Sequence, residues 1–237
     1  MNAAHIIKAF GTQAALPCGS ITSAAYTDAA YKNESSAWTT HTFTNVDIGA
    51  ADADRYVVVM LCAPDVYGVP GNPTCTINGT AATLLDQGKA DGYGSVSAFY
   101  AKVETGTTAS IGIDMDKSVL TAGIAVYRLV VPSANGLTLY DSALAITNAT
   151  TISSNINTQS SGVLIIGSTG PNTYSYYSMK LNGSTYTIAH NFDMRTNEYY
   201  AGGIITSLFN GSALSVEISS FTSRKVFIAV CLTPNCP

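Results

Sequence analysis

Two hydrophobic patterns recur along the chain, and both are typical of β-strands. The segment ASIGIDMD at 109–116 alternates apolar with polar or small residues, which predicts a strand with one face in a core. Other segments are continuously apolar, which predicts strands buried on both faces. They are YVVVML at 56–61, VLIIG at 163–167 and VFIAVCL at 226–232. Gly, Asn, Pro and Asp separate these short runs, so the sequence predicts an all-β protein.

The order of these segments occurs twice. CTINGTAATLL at 75–85 matches MKLNGSTYTI at 179–188, and each contains an Asn-Gly pair, which favours a type I′ hairpin turn. Asn78 and Asn182 are 104 residues apart, and the tripeptide Ile-Ala-Val recurs at 124 and 228, again 104 residues apart. The sequence therefore predicts an internal duplication, with two tandem antiparallel β-sandwich domains of Ig-like or jelly-roll-like type.

The repeat suggests three parts of the chain. Residues 1–35 lie outside the repeat and are expected to form an extended N-terminal arm. Residues 36–132 form copy one, and 137–237 form copy two with a short Cys-bearing C-terminal tail. We expect two separate domains joined near VPSANG at 131–136; the alternative is that both copies share a core as one pseudo-symmetric domain.

Charge is sparse. Asp, Glu, Lys and Arg make up 11% of the residues, against about 25% in an average globular protein, and the net charge is −4. No basic stripe is present, so the sequence predicts no nucleic-acid partner. The apolar runs are shorter than the roughly 20 residues of a membrane-spanning helix. We therefore expect a soluble protein with no membrane partner.

The five cysteines cannot all pair within one chain. Cys62 ends one predicted strand and Cys75 begins the next, so a disulfide between them is geometrically feasible; buried thiols are the alternative for Cys62 and Cys231. Cys18 and Cys236 fall in the terminal segments and are predicted to form bonds between subunits. With no CxxC pair and only three His, a zinc site is not predicted.

The sequence predicts neither catalytic residues nor a cofactor nor a resident metal. It contains no GxSxG nucleophile motif. Asp114 and Asp116 share one face of a predicted strand, but the second copy has no matching pair, so a solvated strand face is the favoured interpretation. Three carboxylates in a corner between strands lack an EF-hand spacing: Asp47, Asp52 and Asp54. We therefore expect a protein that is not an enzyme.

Tyrosines concentrate in copy two and suggest a contact surface. Tyr provides a large amphipathic area at low entropic cost, and loops between strands often carry binding residues. The residues predicted to contact a partner or a glycan are Tyr174, Tyr176, Tyr177, Tyr199 and Tyr200. The alternative is that some of them are half-buried strand residues.

One segment resembles a β-sandwich module of tailed-bacteriophage virion structural proteins. The resemblance rests on the corner GAADAD at 49–54, the hairpin TINGTAATL at 76–84 and the strand GTTASIGI at 106–113. It extends over most of copy one and more loosely over copy two, which lacks the corner. These are turn and strand features, and the resemblance carries over no active-site residues.

The resemblance implies a capsid decoration, neck or tail protein, located in the virion and assembled in the host cytoplasm. Its expected partners are other virion proteins, such as capsid or tail subunits, and further copies of itself. Sparse charge suits close packing of many copies, because like-charge repulsion stays small. The alternative function is a carbohydrate-binding or adhesin-type module that binds a host-surface glycan through the Tyr-rich loops of copy two.

The cysteine assignment predicts a covalent contact between subunits. Intact particles run on a non-reducing gel should show a crosslinked band that disappears with reductant and in the Cys18→Ser or Cys236→Ser variant. Cys231→Ser is the matched control and should leave the band unchanged. A purely monomeric band from wild-type particles would contradict the prediction.

Overall fold

The computed structural model describes residues 19–63, 72–90, 94–132, 136–147, 149–171, 178–195, 198–206, 208, 210–219 and 225–235. Within these ranges there are sixteen β-strands and no helix, and all strand pairs are antiparallel. The all-β prediction is therefore confirmed. The strands are β1 (Ser23–Asp47), β2 (Arg55–Ala63), β3 (Thr74–Ile77), β4 (Thr80–Ala81), β5 (Thr83–Ala90), β6 (Gly94–Lys102), β7 (Thr108–Val130), β8 (Leu137–Thr147), β9 (Thr151–Thr158), β10 (Val163–Pro171), β11 (Ser178–Leu181), β12 (Ser184–Tyr186), β13 (His190–Arg195), β14 (Glu198–Ile205), β15 (Gly211–Ser219) and β16 (Lys225–Pro234).

Two very long strands organise copy one. Strand β7 pairs with β3 along its first half, with β2 along its second half, and with β1 along its whole length. Both long strands therefore run from one layer into the other. The inner layer has the order β5-β6-β2-β7-β1, and the outer layer has the order β4-β3-β7-β1.

Copy two repeats this arrangement with shorter strands. Its inner sheet has the order β13-β14-β10-β16-β8, and its outer sheet has the order β12-β11-β15-β9. The positions of β8 and β9 correspond to the two halves of β1, and those of β16 and β15 correspond to the two halves of β7. Each copy is thus a sandwich of a five-stranded and a four-stranded layer.

Three hydrophobic cores are stacked through the molecule. Core one lies between the layers of copy one, core two between the layers of copy two, and a joint core between the two inner layers. Along β2, Val57 and Val59 face core one, while Val58 and Met60 face the joint core. The continuously apolar strands are buried on both faces because each inner layer is covered by an outer layer and by the other inner layer.

The joint core makes one packed body of the two copies, which corrects the expectation of separate domains. Val131 and Leu137, on either side of the connection, are both part of this core. A methyl group added to Gly167 of copy two would lie 2.8 Å from Met60 Cε of copy one. The contacts are also reciprocal, since β5 lies against β8 and β16 while β13 lies against β1 and β7. The two copies are therefore related to each other as the subunits of a two-fold symmetric dimer are, but within one chain.

The arm prediction is wrong for residues 23–35, which lie in the first half of β1, where residues 23–33 pair with β7. They belong to the repeat, because β8 holds the same place in copy two. The sequence did not identify this segment as a strand because many of its positions are half-buried and its apolar residues show little periodicity. Residues 1–18 lie outside the described residues.

The repeated Ile-Ala-Val tripeptides are not structurally equivalent. Ile124 faces core one, inside its copy, whereas Ile228 faces the joint core. A shift of one residue exchanges the two faces of a strand. In a strand that is apolar on both faces, the sequence pattern does not reveal such a shift.

We expect the two copies to unfold together. Met60→Ala removes a fully buried side chain from the joint core and should lower the free energy of unfolding by about 2–5 kcal/mol, while the transition stays single. Chemical denaturation followed by fluorescence and circular dichroism measures both properties.

The control is Leu84→Ala, because Leu84 is 43% exposed and should change stability by about 0.5 kcal/mol or less. Two separate transitions, of which Met60→Ala shifts only one, would contradict the joint core.

Candidate interaction surface

Strand β1 lies at the edge of both layers of copy one. Among the described residues, this 25-residue strand pairs with β7 alone. Its other edge, called the outer edge here, pairs with no strand of the described residues, and strand edges of this kind can add a further strand. Two large aromatic side chains on β1 are exposed, Tyr31 by 53% and Trp38 by 55%.

A carboxylate holds the two halves of β1 together. Asp28 Oδ2 accepts the backbone N–H of Asp47 at 2.9 Å, and Asp28 Oδ1 accepts the N–H of Ala29 at 2.8 Å. The hydroxyl of Thr27 donates to the carbonyl of Asp47 at 2.8 Å. Thr27 is the additional residue of a bulge between Tyr26 and Asp28. The bulge places the side chain of Asp28 so that it can reach the other layer.

Copy two contains the same clamp. Asp141 Oδ2 accepts the N–H of Asn157 at 2.6 Å, and Asp141 Oδ1 accepts the N–H of Ser142 at 2.9 Å. A register shift again immediately precedes the Asp, with Tyr140 as the additional residue. Sequence analysis missed both residues. The shared signal is short: Asp, a small residue, then Ala, at 28–30 and at 141–143.

A shallow groove of about 390 Å³ lies between the two halves of β1. Its lining residues are Ala30, Tyr31, Lys32, Thr42, Phe43 and Thr44. Phe43 belongs to core one, and Ala30 packs against that core. At this groove, apolar residues of core one therefore come close to the surface, between the two halves of an edge strand.

A buried histidine lies next to this groove. His41 is 2% exposed, and its Nε2 has no hydrogen-bond partner within the described part of the chain. Burial lowers the pKa of His41, while the backbone of Trp38 and the charge of Glu34 oppose the shift. At neutral pH the imidazole is therefore uncharged, and no described acid partner prepares it for nucleophilic catalysis.

The GAADAD corner of copy one is a structural element built around Arg55. This fully buried guanidinium donates to the carbonyls of Gly49, Val103, Thr105 and Gly106 at 2.6–2.9 Å. Four carbonyl dipoles stabilise the buried charge in place of a carboxylate. The corner therefore has a structural explanation that requires no ligand.

Carboxylates in the corner also accept hydrogen bonds from nearby backbone N–H groups. Asp47 Oδ1 accepts the N–H of Gly49 at 2.7 Å, and Asp52 Oδ1 accepts that of Asp54 at 2.9 Å. Asp114, on the exposed face of β7, lies 3.3 Å from the hydroxyl of Thr40. No group of three or more metal-ligating side chains occurs among the described residues.

The predicted tyrosine surface is only partly described. Tyr200 is fully buried and donates its hydroxyl to the carbonyl of Met60 at 2.9 Å, so its prediction as a surface contact is wrong. Burial raises the pKa of Tyr200 well above its usual value. Tyr199 is half-buried and packs against core two. The other three predicted residues lie outside the described residues: Tyr174, Tyr176 and Tyr177.

The predicted Cys62–Cys75 disulfide does not form. Cys62 faces the joint core and Cys75 faces core one, so the two thiols lie in different cores. Burial raises the pKa of the Cys75 thiol to about 12 and that of the Cys231 thiol to about 11, which makes both unreactive. The terminal cysteines, Cys18 and Cys236, lie outside the described residues.

Comparison with known proteins gives no family for this chain. No family model and no curated protein matches it. An anti-sigma factor domain-containing protein of solved structure is 11% identical with a TM-score of 0.24, and the alignment covers 86% of this chain and 92% of that one. A conserved protein of unknown function from Pseudomonas aeruginosa PAO1 is 8% identical with a TM-score of 0.29, covering 87% and 99%.

A membrane-spanning helix is also absent: none of the described residues forms a helix long and apolar enough to cross a bilayer.

Removal of the clamp should destabilise the protein. Asp28→Ala leaves the N–H groups of Asp47 and Ala29 without their acceptor, so the free energy of unfolding should fall by about 1–3 kcal/mol in chemical denaturation. The matched control is Asp114→Ala on the exposed face of β7, which should change stability by about 0.5 kcal/mol or less. Equal effects of both substitutions would contradict the clamp.

Proposed function

We propose that this protein is a non-enzymatic structural component of a phage virion, a capsid decoration, neck or tail protein that assembles through the surface of β1. The observation that carries the proposal is the surface of this 25-residue strand, on which Tyr31 and Trp38 are exposed and Tyr31 lines a groove next to core one. Proteins usually shorten, charge or cover such an edge. A long edge strand with exposed aromatic side chains suits contact with a neighbouring subunit.

Rigidity supports an architectural role. The joint core is continuous with the strands that carry the surface, because Ala125, Tyr127 and Leu129 of β7 belong to it while β7 pairs with β1. A strand held in this way presents its edge in one orientation, which reduces the entropic cost of association.

The polar groups of the described residues support the same proposal. The guanidinium of Arg55 and the carboxylates of Asp28 and Asp141 all bind backbone groups, which is a structural role. Sparse charge, with a net charge of −4 over 237 residues, suits assembly in many copies. The proposed partners are capsid or tail subunits and further copies of the chain, with neither nucleic acid nor membrane.

Glycan binding is the second candidate function. It is favoured by the exposed rings of Trp38 and Tyr31, since aromatic faces with polar neighbours are common in ligand sites. It predicts that a glycan array binds the wild-type chain and loses that binding in Trp38→Ala.

Immuno-electron microscopy of phage particles, with antibody raised against the full chain, tests the virion proposal. Label spread over the heads would identify a decoration protein, and label at one vertex or on the tail would identify a neck or tail component. Particles without label would overturn the proposal.

Variants then test the edge of β1. Trp38→Ala should lower incorporation into particles about tenfold, the effect of losing roughly 1.4 kcal/mol at an aromatic anchor. Leu84→Ala, which removes a comparably exposed apolar side chain from β5, is the matched control and should incorporate normally. Equal incorporation of both variants would exclude the edge as the assembly surface.

A further inference from the structure

The two copies contain a matched pair of Asn-Gly turns. Asn78-Gly79 joins β3 to β4, and Asn182-Gly183 joins β11 to β12. All four residues have positive φ, with values of 50° and 78° in copy one and 47° and 82° in copy two. The two Asn residues also make equivalent backbone hydrogen bonds. Asn78 N–H donates to Ser110 O at 2.8 Å, and Asn182 N–H donates to Ser215 O at 2.7 Å.

The two turns differ in what holds the Asn side chain. Asn78 Oδ1 accepts the backbone N–H of Ser110 at 2.8 Å. A third pair, Asn210-Gly211, is held similarly, because Asn210 Oδ1 accepts the N–H of Ser160 at 2.9 Å. Within the described residues, the carboxamide of Asn182 has no hydrogen-bond partner.

The surroundings of Asn182 also leave it room to move. Asn182 and Gly183 are both exposed, and a Cβ added to Gly183 would meet no atom within 4 Å. The carboxamide can therefore rotate toward the next peptide nitrogen, where glycine presents no side chain as an obstacle.

We propose that Asn182 is a site of spontaneous deamidation in the folded protein, distinguished from Asn78 and Asn210 by its untethered side chain. The deprotonated backbone nitrogen of Gly183 attacks Cγ of Asn182. The bond between this nitrogen and Cγ forms while the bond between Cγ and Nδ2 breaks. The Nδ2 amino group takes up the proton that the backbone nitrogen lost and leaves as ammonia. Water then opens the cyclic imide at either carbonyl, giving aspartate or isoaspartate.

Either product changes the outer layer of copy two. Both add a carboxylate to a chain with a net charge of −4. Isoaspartate also inserts one carbon into the backbone of a two-residue turn, which alters the geometry that sets the register of β11 and β12. The inference is independent of the virion role, because it rests on this turn alone.

Peptide mapping by mass spectrometry tests the proposal on the native full-length protein after incubation in mildly alkaline buffer. The folded protein should lose the amide of Asn182 about two- to tenfold faster than those of Asn78 and Asn210, the rate effect of one retained hydrogen bond. In denaturant the three rates should converge, because all three are Asn-Gly pairs.

Asn182→Gln should abolish modification at this position and leave the rate at Asn78 unchanged. A folded-state rate at Asn78 or Asn210 equal to or above that at Asn182 would overturn the proposal. So would deamidation of Asn182 that occurs only in denaturant.

Discussion

The rest of the structure depends on the burial of both faces of the inner layers. Each inner layer has an outer layer on one side and the inner layer of the other copy on the other side, so its strands contribute to two cores at once. Removing either copy would expose the apolar joint-core face of the other to water. The hydrophobic effect therefore makes the two copies one body, although each copy is built as a complete sandwich.

Within each sandwich, the edge is shaped by a bulge and a carboxylate. Asp28 in copy one and Asp141 in copy two each follow an additional residue and accept a backbone N–H from the other layer, at Asp47 and Asn157 respectively. Charge-assisted bonds to backbone donors are strong, and these hold the layers together at the edge strand. In copy one this clamp joins the two halves of β1 that line the groove, which is part of the proposed assembly surface.

Several features could be predicted from the sequence. Alternation identified β7 as half-buried in its first part, and continuous apolar runs identified β2, β10 and β16 as buried on both faces. The Asn-Gly pairs identified both short hairpins. These predictions succeed because they rest on local chemistry: side-chain periodicity and the positive φ that Asn and Gly tolerate.

Other features needed the fold. Residues 23–35 carry little periodicity, so only their pairing with β7 shows them to be strand, and Tyr200 is a core residue because the other copy covers it. The sequence by itself determined the apolar and alternating strands, the Asn-Gly turns and the duplication. Only the tertiary structure decided which core Ile124 and Ile228 enter. It also decided that Cys62 and Cys75 lie in different cores. The physical reason is that a strand apolar on both faces has no preferred side until other layers pack against it.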